Sequence, residues 1–502
     1  MKKIFIIFIL LACKVFAGAT FLGHNYENYY QPLIESREYP KIMINESLGQ
    51  LISESLVQTY SVHGLYRYYR GFVCDQVYGR SCTKNLSNLQ QYAGLSLESQ
   101  TNLFNLDIES VMGYKMIYST RGVDGLNHQV SGAVLVSKQT TPLKGIILFY
   151  HYTILDKRNI PSNFNRDNFL LSPLLASTLV SAGYIVLAPD YLGFGRDESS
   201  VHPYVNFSTV NALSGIDMLQ AYLRSDSFKL HEFESTPVKL YLSGYSEGGS
   251  YALWASKILQ ESNFLAQHSL VLKKTIPVVG AYNISHVMSP FMFANVDQEH
   301  VDPYNVENSW VTAVSKPGFY AASATAALSY STQPHFVESD LYNANFIQCE
   351  KCVVNQQHLS IAQFLESVYY SDGYMYEVLF QQATGSHYGY NSNSTWLIAS
   401  EKLHQDNRFI QQFNQADIYN WYSASPVTLL AFEYDSVVPR LNSETAYLAM
   451  AAQGSPKVKL MLIPNQDFMV KGLIPLSDMQ VDHPYGIRFM LPFVRRELEL
   501  DN

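Results

Sequence analysis

The chain has 502 residues, of which 47% are hydrophobic and 15% charged, a composition typical of a packed globular protein rather than a disordered one. Its formal net charge of −9 argues against nucleic acid as a partner, because an acidic surface repels the phosphate backbone. The length suits one large domain with an insertion, or two domains.

The N-terminus has the pattern of a secretory signal peptide, which we assign to residues 1–17. Two lysines precede an apolar run over residues 4–12, and small residues near Ala17 suit cleavage. Nine apolar residues are too few to cross a bilayer, so we predict an exported protein, secreted or periplasmic. The alternative is a lipid anchor at Cys13, since Leu-Leu-Ala-Cys over residues 10–13 resembles a lipoprotein box.

Residues 18–105 show a mixed pattern without a catalytic motif. We expect this N-terminal segment to pack on the core, and its clearest feature is helical spacing near Leu51–Tyr69.

The cysteine count indicates disulfides. Four cysteines follow Cys13, and an even number in an exported chain favours pairing. The simplest arrangement joins neighbours, Cys74 with Cys82 and Cys349 with Cys352. The C-x-x-C at Cys349 leaves a redox pair or half of a zinc site as the alternative, although one such pair is a weak metal signal.

Strand and helix patterns alternate from residue 106 onward. Apolar strands are predicted at Tyr114–Ser119, Val130–Val136, Gly145–Tyr150, Tyr184–Ala188, Val238–Ser243 and Thr275–Tyr282. Helical spacing is found at Phe169–Ala182 and Phe207–Leu223. This alternation predicts βαβ units and a mostly parallel sheet flanked by helices, with an antiparallel hairpin at its start.

The alternation stops and later resumes. Residues 285–424 are rich in aromatic and small residues and lack a clear strand–helix rhythm. Strand patterns return at Val427–Phe432 and Val458–Ile463, and a last helix is predicted from Tyr485. We therefore predict an α/β core over residues 106–284 and 425–502, with residues 285–424 inserted as a mainly helical cap or lid.

The most specific motif is a G-x-S-x-G around Ser246. It follows the strand predicted at Val238–Ser243 and precedes a helix-compatible segment from Tyr251 to Leu259. Glycines two positions before and after the serine permit a sharp strand-to-helix turn, which exposes the hydroxyl and aims the helix N-terminus at its target. This arrangement is typical of a nucleophilic serine.

A serine nucleophile needs a base, and that base needs an orienting acid. In sheets that carry this turn, the acid and then the histidine follow the serine along the chain. His483 is the only histidine after the resumed strands, which makes it the candidate base. Asp435 lies in the polar turn after the strand at Val427–Phe432, which makes it the candidate acid in preference to Glu433.

The negative oxygen that forms during acyl transfer needs N–H donors. The N–H of Glu247, directly after the nucleophile, is one donor by geometry. The second is expected from the loop after Gly145–Tyr150, where we select Thr153, with Tyr152 as the alternative. We expect His151 to hold the loop, and the Glu247 side chain to complement the helix dipole.

Together these segments resemble the α/β-hydrolase superfamily, and within it the secreted esterases and lipases of the secretory-lipase type. The resemblance rests on Gly-Tyr-Ser-Glu-Gly-Gly at 244–249, Ala-Pro-Asp-Tyr-Leu-Gly-Phe-Gly at 188–195, the Tyr-His loop at 150–162 and the long insertion before Asp435. It implies hydrolysis of carboxylic esters through an acyl-enzyme, without metal or organic cofactor. In this family glycine usually follows the loop histidine, and here Tyr152 stands in its place.

The leading hypothesis is therefore an exported serine esterase or lipase acting on a small-molecule or lipid ester, with transient contact to a lipid interface left open. A serine peptidase or acyltransferase on the same fold is the first alternative. A non-enzymatic binding protein that kept the fold is the second, and an intact serine, aspartate and histidine set argues against it.

Overall fold

The computed structural model describes part of the chain in detail. These residues are 20–21, 24–25, 37–74, 108–139, 141–154, 159–164, 171–289, 322–323, 326–331, 336–337, 407–433, 435, 437–463 and 483–500. The chain divides into two compact units. The larger unit comprises Pro40–Tyr282, Ser423–Glu433 and Pro456–Asn502, and the other comprises Met1–Tyr39, Asn283–Tyr422 and Tyr434–Ser455.

A nine-stranded sheet forms the centre of the larger unit. Its strands are β1 (Leu51–Ser61), β2 (Ile108–Arg121), β3 (Asn127–Gln139), β4 (Gly145–Tyr150), β5 (Tyr184–Pro189), β6 (Val238–Tyr245), β7 (Leu270–Val278), β8 (Val427–Phe432) and β9 (Val458–Ile463). Their spatial order is β9-β8-β7-β6-β4-β5-β3-β2-β1. The six strands from β9 to β5 pair in parallel, and β3, β2 and β1 add an antiparallel edge.

Burial on both faces of the sheet explains why the sequences of the central strands are almost entirely apolar. Every residue of β4, β5 and β8 is buried, as expected where helices cover both faces of a parallel sheet. The helices of this unit are α1 (Val62–Cys74), α2 (Leu171–Thr178), α3 (Ser208–Leu223), α4 (Asp226–Lys229), α5 (Glu247–Gln260), α6 (Phe264–Gln267) and, at the C-terminus, α9 (His483–Glu499). Short 3₁₀ turns lie at Val180–Ala182, Gly195–Asp197 and Tyr204–Phe207.

The prediction of a helix over Leu51–Tyr69 is wrong in its first half. The chain forms strand β1 at the edge of the sheet, paired antiparallel with β2, and the helix begins only at Val62. The apolar side chains that suggested a helix do not form a buried face, because Ile52, Leu56 and Val57 are each about half exposed. Pairing with a distant strand determines the structure here, and the spacing of apolar residues within the segment does not indicate that pairing.

The smaller unit contains α7 (Asn407–Ala416), α8 (Leu441–Ala452), a π turn at Ile284–Met288 and two-residue strands at Thr20–Phe21 and His24–Asn25. A polar cluster in this unit surrounds Asp417, which is fully buried. The Asp417 carboxylate accepts from the backbone N–H groups of Ile284 and Ser285, at 2.6 and 2.9 Å, and from the Arg37 guanidinium at 2.6 Å. This cluster ties the segment at Arg37 to the start of the π turn.

Several predicted features fall outside the described residues. These are the signal peptide, Cys13, three of the four cysteines proposed to form disulfides and most of the predicted cap. The domain boundaries derived from the sequence remain predictions. Among the described helices, none is both long and apolar enough to cross a membrane.

Candidate active site

Ser246 lies at the turn between β6 and α5, in an unusual backbone conformation. Its φ and ψ are 58° and −123°, a region that residues other than glycine rarely adopt. The turn is fixed from both sides, since Ser246 N–H donates to Val278 O at 2.9 Å and Gly249 N–H donates to Ser246 O at 2.8 Å. Such conformations persist where the surroundings impose them and occur often at functional sites.

The glycines of the motif are required by close packing. A Cβ atom at Gly244 would overlap the carbonyl group of Gly248, and one at Gly248 would overlap the carbonyl oxygen of Tyr150. The start of α5 therefore lies directly against the end of β4, which positions the serine above the carboxyl edge of the sheet.

His483 lies within hydrogen-bonding distance of Ser246. Its Nε2 atom lies 2.6 Å from Ser246 Oγ, and both residues are buried, with 5% and 4% of their surface exposed. His483 is the first residue of α9, so a helix start presents the imidazole to the turn after β6. The distance allows the serine hydroxyl to pass its proton to the imidazole.

Asp435 belongs to the other compact unit and follows β8 in the chain. It is buried, and its Oδ1 atom accepts from the N–H groups of Val437 and Val438, at 2.9 and 2.8 Å. These bonds organise the turn around the carboxylate. The role of Asp435 as the acid that orients His483 remains a prediction.

A buried contact between a histidine and a carboxylate lies immediately after the nucleophile. His202 Nε2 is 2.9 Å from Glu247 Oε1, and the two side chains are 3% and 2% exposed. His202 Nδ1 lies 2.8 Å from the carbonyl oxygen of Leu192. Both ring nitrogens of His202 thus face oxygen atoms, and these contacts fix the orientation of the ring beside the Glu247 carboxylate.

The pKa of the Glu247 carboxyl reflects these neighbours. Burial alone would raise this pKa, but the His202 charge and hydrogen bonds from His202, Tyr251 and Thr153 lower it below its usual value. The carboxylate is therefore more than a charge matched to the helix dipole. It joins the helix start to the loop after β5 and to Thr153 in the loop after β4.

The loop after β4 is held by His151. Burial lowers the pKa of His151 to about 4, so the ring is neutral near neutral pH. Its Nδ1 atom lies 2.6 Å from the carbonyl oxygen of Tyr152 and its Nε2 atom 3.3 Å from that of Asp190, so the shorter contact assigns the proton of the neutral ring to Nδ1. The ring packs on Tyr191 with centroids 4.0 Å apart. His151 therefore supports the loop that leads to Thr153, and the oxyanion roles of the Thr153 and Glu247 N–H groups remain predictions.

Sequence reasoning did not identify His202 or Tyr245 as part of this site. His202 is 45 residues from Glu247, and nothing in its local sequence signals the pairing. Tyr245 adjoins the nucleophile within the G-x-S-x-G motif, and that adjacency was the available signal.

Solved structures share this architecture. A protein of Legionella pneumophila subsp. pneumophila, assigned to the hydrolases, is 18% identical with a TM-score of 0.63, over 90% of this chain and 98% of that one. The rice cell wall degrading esterase LipA from Xanthomonas oryzae is 17% identical with a TM-score of 0.61, over 90% of this chain and 99% of the esterase. The fold is that of the α/β-hydrolases.

No protein-family model matches the chain, and no curated protein is similar to it in sequence. At 17–18% identity the likeness to solved structures shows the fold alone, and a shared fold does not fix the chemistry of the site.

Proposed function

We propose that this protein is a serine hydrolase that cleaves carboxylic esters through an acyl-enzyme. The observation that carries the proposal is the 2.6 Å separation of Ser246 Oγ and His483 Nε2, with the serine on a turn of positive φ. A serine activated in this way is suited to attack on an acyl carbon.

In the proposed acylation, Ser246 Oγ attacks the ester carbonyl carbon while His483 Nε2 accepts the hydroxyl proton. The carbonyl oxygen becomes negatively charged and accepts hydrogen bonds from the N–H groups of Glu247 and Thr153. Collapse of this tetrahedral species breaks the bond to the alcohol oxygen, which takes the proton from His483.

Deacylation repeats these steps with water. His483 accepts a proton from water, the resulting hydroxide attacks the acyl carbon, and the proton returns to Ser246 Oγ as the acid leaves. Asp435 would hold the imidazole in the required tautomer and stabilise its cation. The chemistry uses protein groups and water alone.

The substrate we propose is a small-molecule or lipid ester. The structural likeness to the Xanthomonas oryzae enzyme, which is described as an esterase, supports the ester class. In the family that this chain resembles, glycine is usual at the position of Tyr152. The half-buried ring of Tyr152 packs against Tyr245, which precedes Ser246, and we expect it to restrict the space for the acyl group of the substrate.

The first prediction is hydrolysis of p-nitrophenyl esters by the purified protein. Ser246→Ala and His483→Ala should each lower kcat by about a thousandfold or more, because each removes a member of the proton-transfer pair. Ser243→Ala is the matched control, since it removes a buried hydroxyl, bonded to Ile276 O at 2.8 Å, from the same strand. Rates should be measured across acyl chains from acetyl to palmitoyl.

The outcomes of this assay separate the alternatives. A wild-type rate equal to that of both variants at every chain length would exclude the esterase. Cleavage of aminoacyl anilides in preference to esters would indicate a peptidase, and acyl transfer to an added alcohol in preference to water would indicate an acyltransferase.

We also propose export, directed by the signal peptide at residues 1–17. Mass spectrometry of the mature protein should give an N-terminus after Ala17. A lipid-modified Cys13 at the N-terminus would instead indicate an anchored protein.

A further inference from the structure

The backbone of His483 is bound by the residue that precedes the nucleophile. The hydroxyl of Tyr245 donates to the carbonyl oxygen of His483 at 2.8 Å, and both residues are buried. Tyr245 ends β6, and Ser246 follows it directly. One strand end therefore presents the nucleophile and also holds the main chain of the residue that would activate it.

The aromatic ring of Tyr245 adds a second contact. The rings of Tyr245 and His483 lie 5.3 Å apart between centroids, at 45°, and Tyr152 packs edge-on to Tyr245 at 6.4 Å. Tyr245 thus touches both the main chain and the imidazole of His483. Removing the hydroxyl alone would keep the ring packing and delete only the hydrogen bond.

The first turn of α9 is shaped to accept this tyrosine. A Cβ atom at Gly486 would collide with the Tyr245 hydroxyl and with the ring of Phe432. Because Gly486 has no side chain, the helix start lies close to the end of β6. The glycine therefore explains how the Tyr245 hydroxyl reaches His483 O.

We propose that Tyr245 is a positioning residue that sets the distance between His483 Nε2 and Ser246 Oγ; its catalytic consequence rests on the proposed function. The hydrogen bond from Tyr245 supplies a direct constraint from the strand that carries the nucleophile. Proton transfer is sensitive to displacements of this kind, because the reacting atoms must stay within hydrogen-bond reach.

The test is Tyr245→Phe, with Tyr150→Phe as the matched control. The Tyr150 hydroxyl also donates to a backbone carbonyl in the core, Ala212 O at 2.7 Å, but it bonds to α3 rather than to the helix that begins at His483. We expect Tyr245→Phe to lower kcat by about 5- to 30-fold with KM changed less than about twofold. Tyr150→Phe should lower the unfolding free energy by about as much as Tyr245→Phe does, and should keep kcat within about twofold of the wild type.

A second measurement does not depend on ester hydrolysis. The imidazole ¹⁵N and ¹H resonances of His483, assigned by comparison with His483→Ala, should move in Tyr245→Phe and stay in place in Tyr150→Phe. If the wild type hydrolyses no ester but these resonances move as expected, the proposed function fails and the positioning role stands. Gly486→Ala, which leaves the hydroxyl but crowds it, is a second variant and should also move them.

Two results would overturn the inference. One is a kcat for Tyr245→Phe equal to that of the wild type, with the His483 resonances unchanged. The other is an equal loss of kcat in the Tyr245 and Tyr150 variants, which would indicate general loosening of the core.

Discussion

Ser246 depends on backbone geometry that its own side chain does not provide. A φ of 58° is unfavourable for serine, and it is maintained by hydrogen bonds to Val278 and Gly249 and by the contact of Gly248 with Tyr150 O. The glycine spacing predicts this turn from the sequence, because only residues without Cβ atoms permit the approach. The contact with His483 was predicted from chain order and uniqueness rather than from any local pattern.

Asp435 provides the second prediction. Asp435→Asn should lower kcat by about 10²–10⁴-fold, since an amide cannot stabilise an imidazolium and favours the wrong tautomer. The turn should survive, because an amide oxygen can still accept the N–H groups of Val437 and Val438 that now bond to Oδ1. Steady-state kinetics and thermal melting, measured together, check this expectation.

The neighbouring acid is the control for that variant. Glu433, two residues earlier, should tolerate replacement by glutamine with kcat within about twofold of the wild type. A kcat for Asp435→Asn equal to or above that of Glu433→Gln would show that Asp435 is not the catalytic acid.

The side chains of Glu247 and His202 show where local sequence reasoning stops. A glutamate in the first turn of a helix is adequately explained by the helix dipole, and that was the expectation. Its burial against an imidazole from the loop after β5 is a tertiary contact between distant segments. No periodicity or motif in either segment encodes it.

At the level of elements, burial decides which sequence patterns are reliable. The nearly continuous apolar runs at β4, β5 and β8 identified those strands within one residue, because strands covered on both faces contain few polar positions. β1 was mistaken for a helix because an edge strand lacks that signature. β7 begins at Leu270, before the predicted Thr275, since Lys273 and Lys274 interrupt its apolar run.

One of those lysines carries the third prediction. Lys274 Nζ lies 2.9 Å from Glu497 Oε2, both side chains are 3% exposed, and the Thr428 hydroxyl donates to the same oxygen at 3.1 Å. This buried pair joins β7 to the C-terminal turn of α9. Lys274→Met should lower the unfolding free energy by about 3–5 kcal/mol, because it leaves a buried carboxylate without its cation.

Denaturant unfolding measures that effect, and two variants complete the design. Lys274→Met combined with Glu497→Met should recover much of the loss, since neither charge then remains buried. Lys229→Met, which breaks the exposed pair with Asp226, should leave the stability unchanged. Equal losses for the buried and exposed lysines would show that the Lys274 pair has no special role.

For the molecule as a whole, buried acids with raised pKa values contribute to the way stability varies with pH. Burial raises the pKa of Asp190 and of Asp417 above the usual range. Hydroxyl and N–H donors act in the opposite direction at Asp190, and the Arg37 charge and the Ser285 donors do so at Asp417. An acid whose pKa is raised in the folded state binds its proton more tightly when folded. Such groups stabilise the protein at low pH and lose that contribution as the pH rises.

Asp217 gives the clearest case and the last prediction. Burial raises its pKa from 3.8 to about 7, and its Oδ2 accepts from the Thr120 hydroxyl at 2.7 Å. Its stabilising contribution is complete below the unfolded pKa and is lost as the pH rises through about 7. This group should therefore lower the unfolding free energy by about 2.5 kcal/mol between pH 5 and pH 8. Asp217→Asn keeps an acceptor for Thr120 and should remove that slope, whereas the exposed Asp226→Asn should retain it.

Unfolding curves at pH 5, 6, 7 and 8 test the expectation, and an unchanged slope in Asp217→Asn would show that this carboxyl is ionised in the folded protein throughout the range.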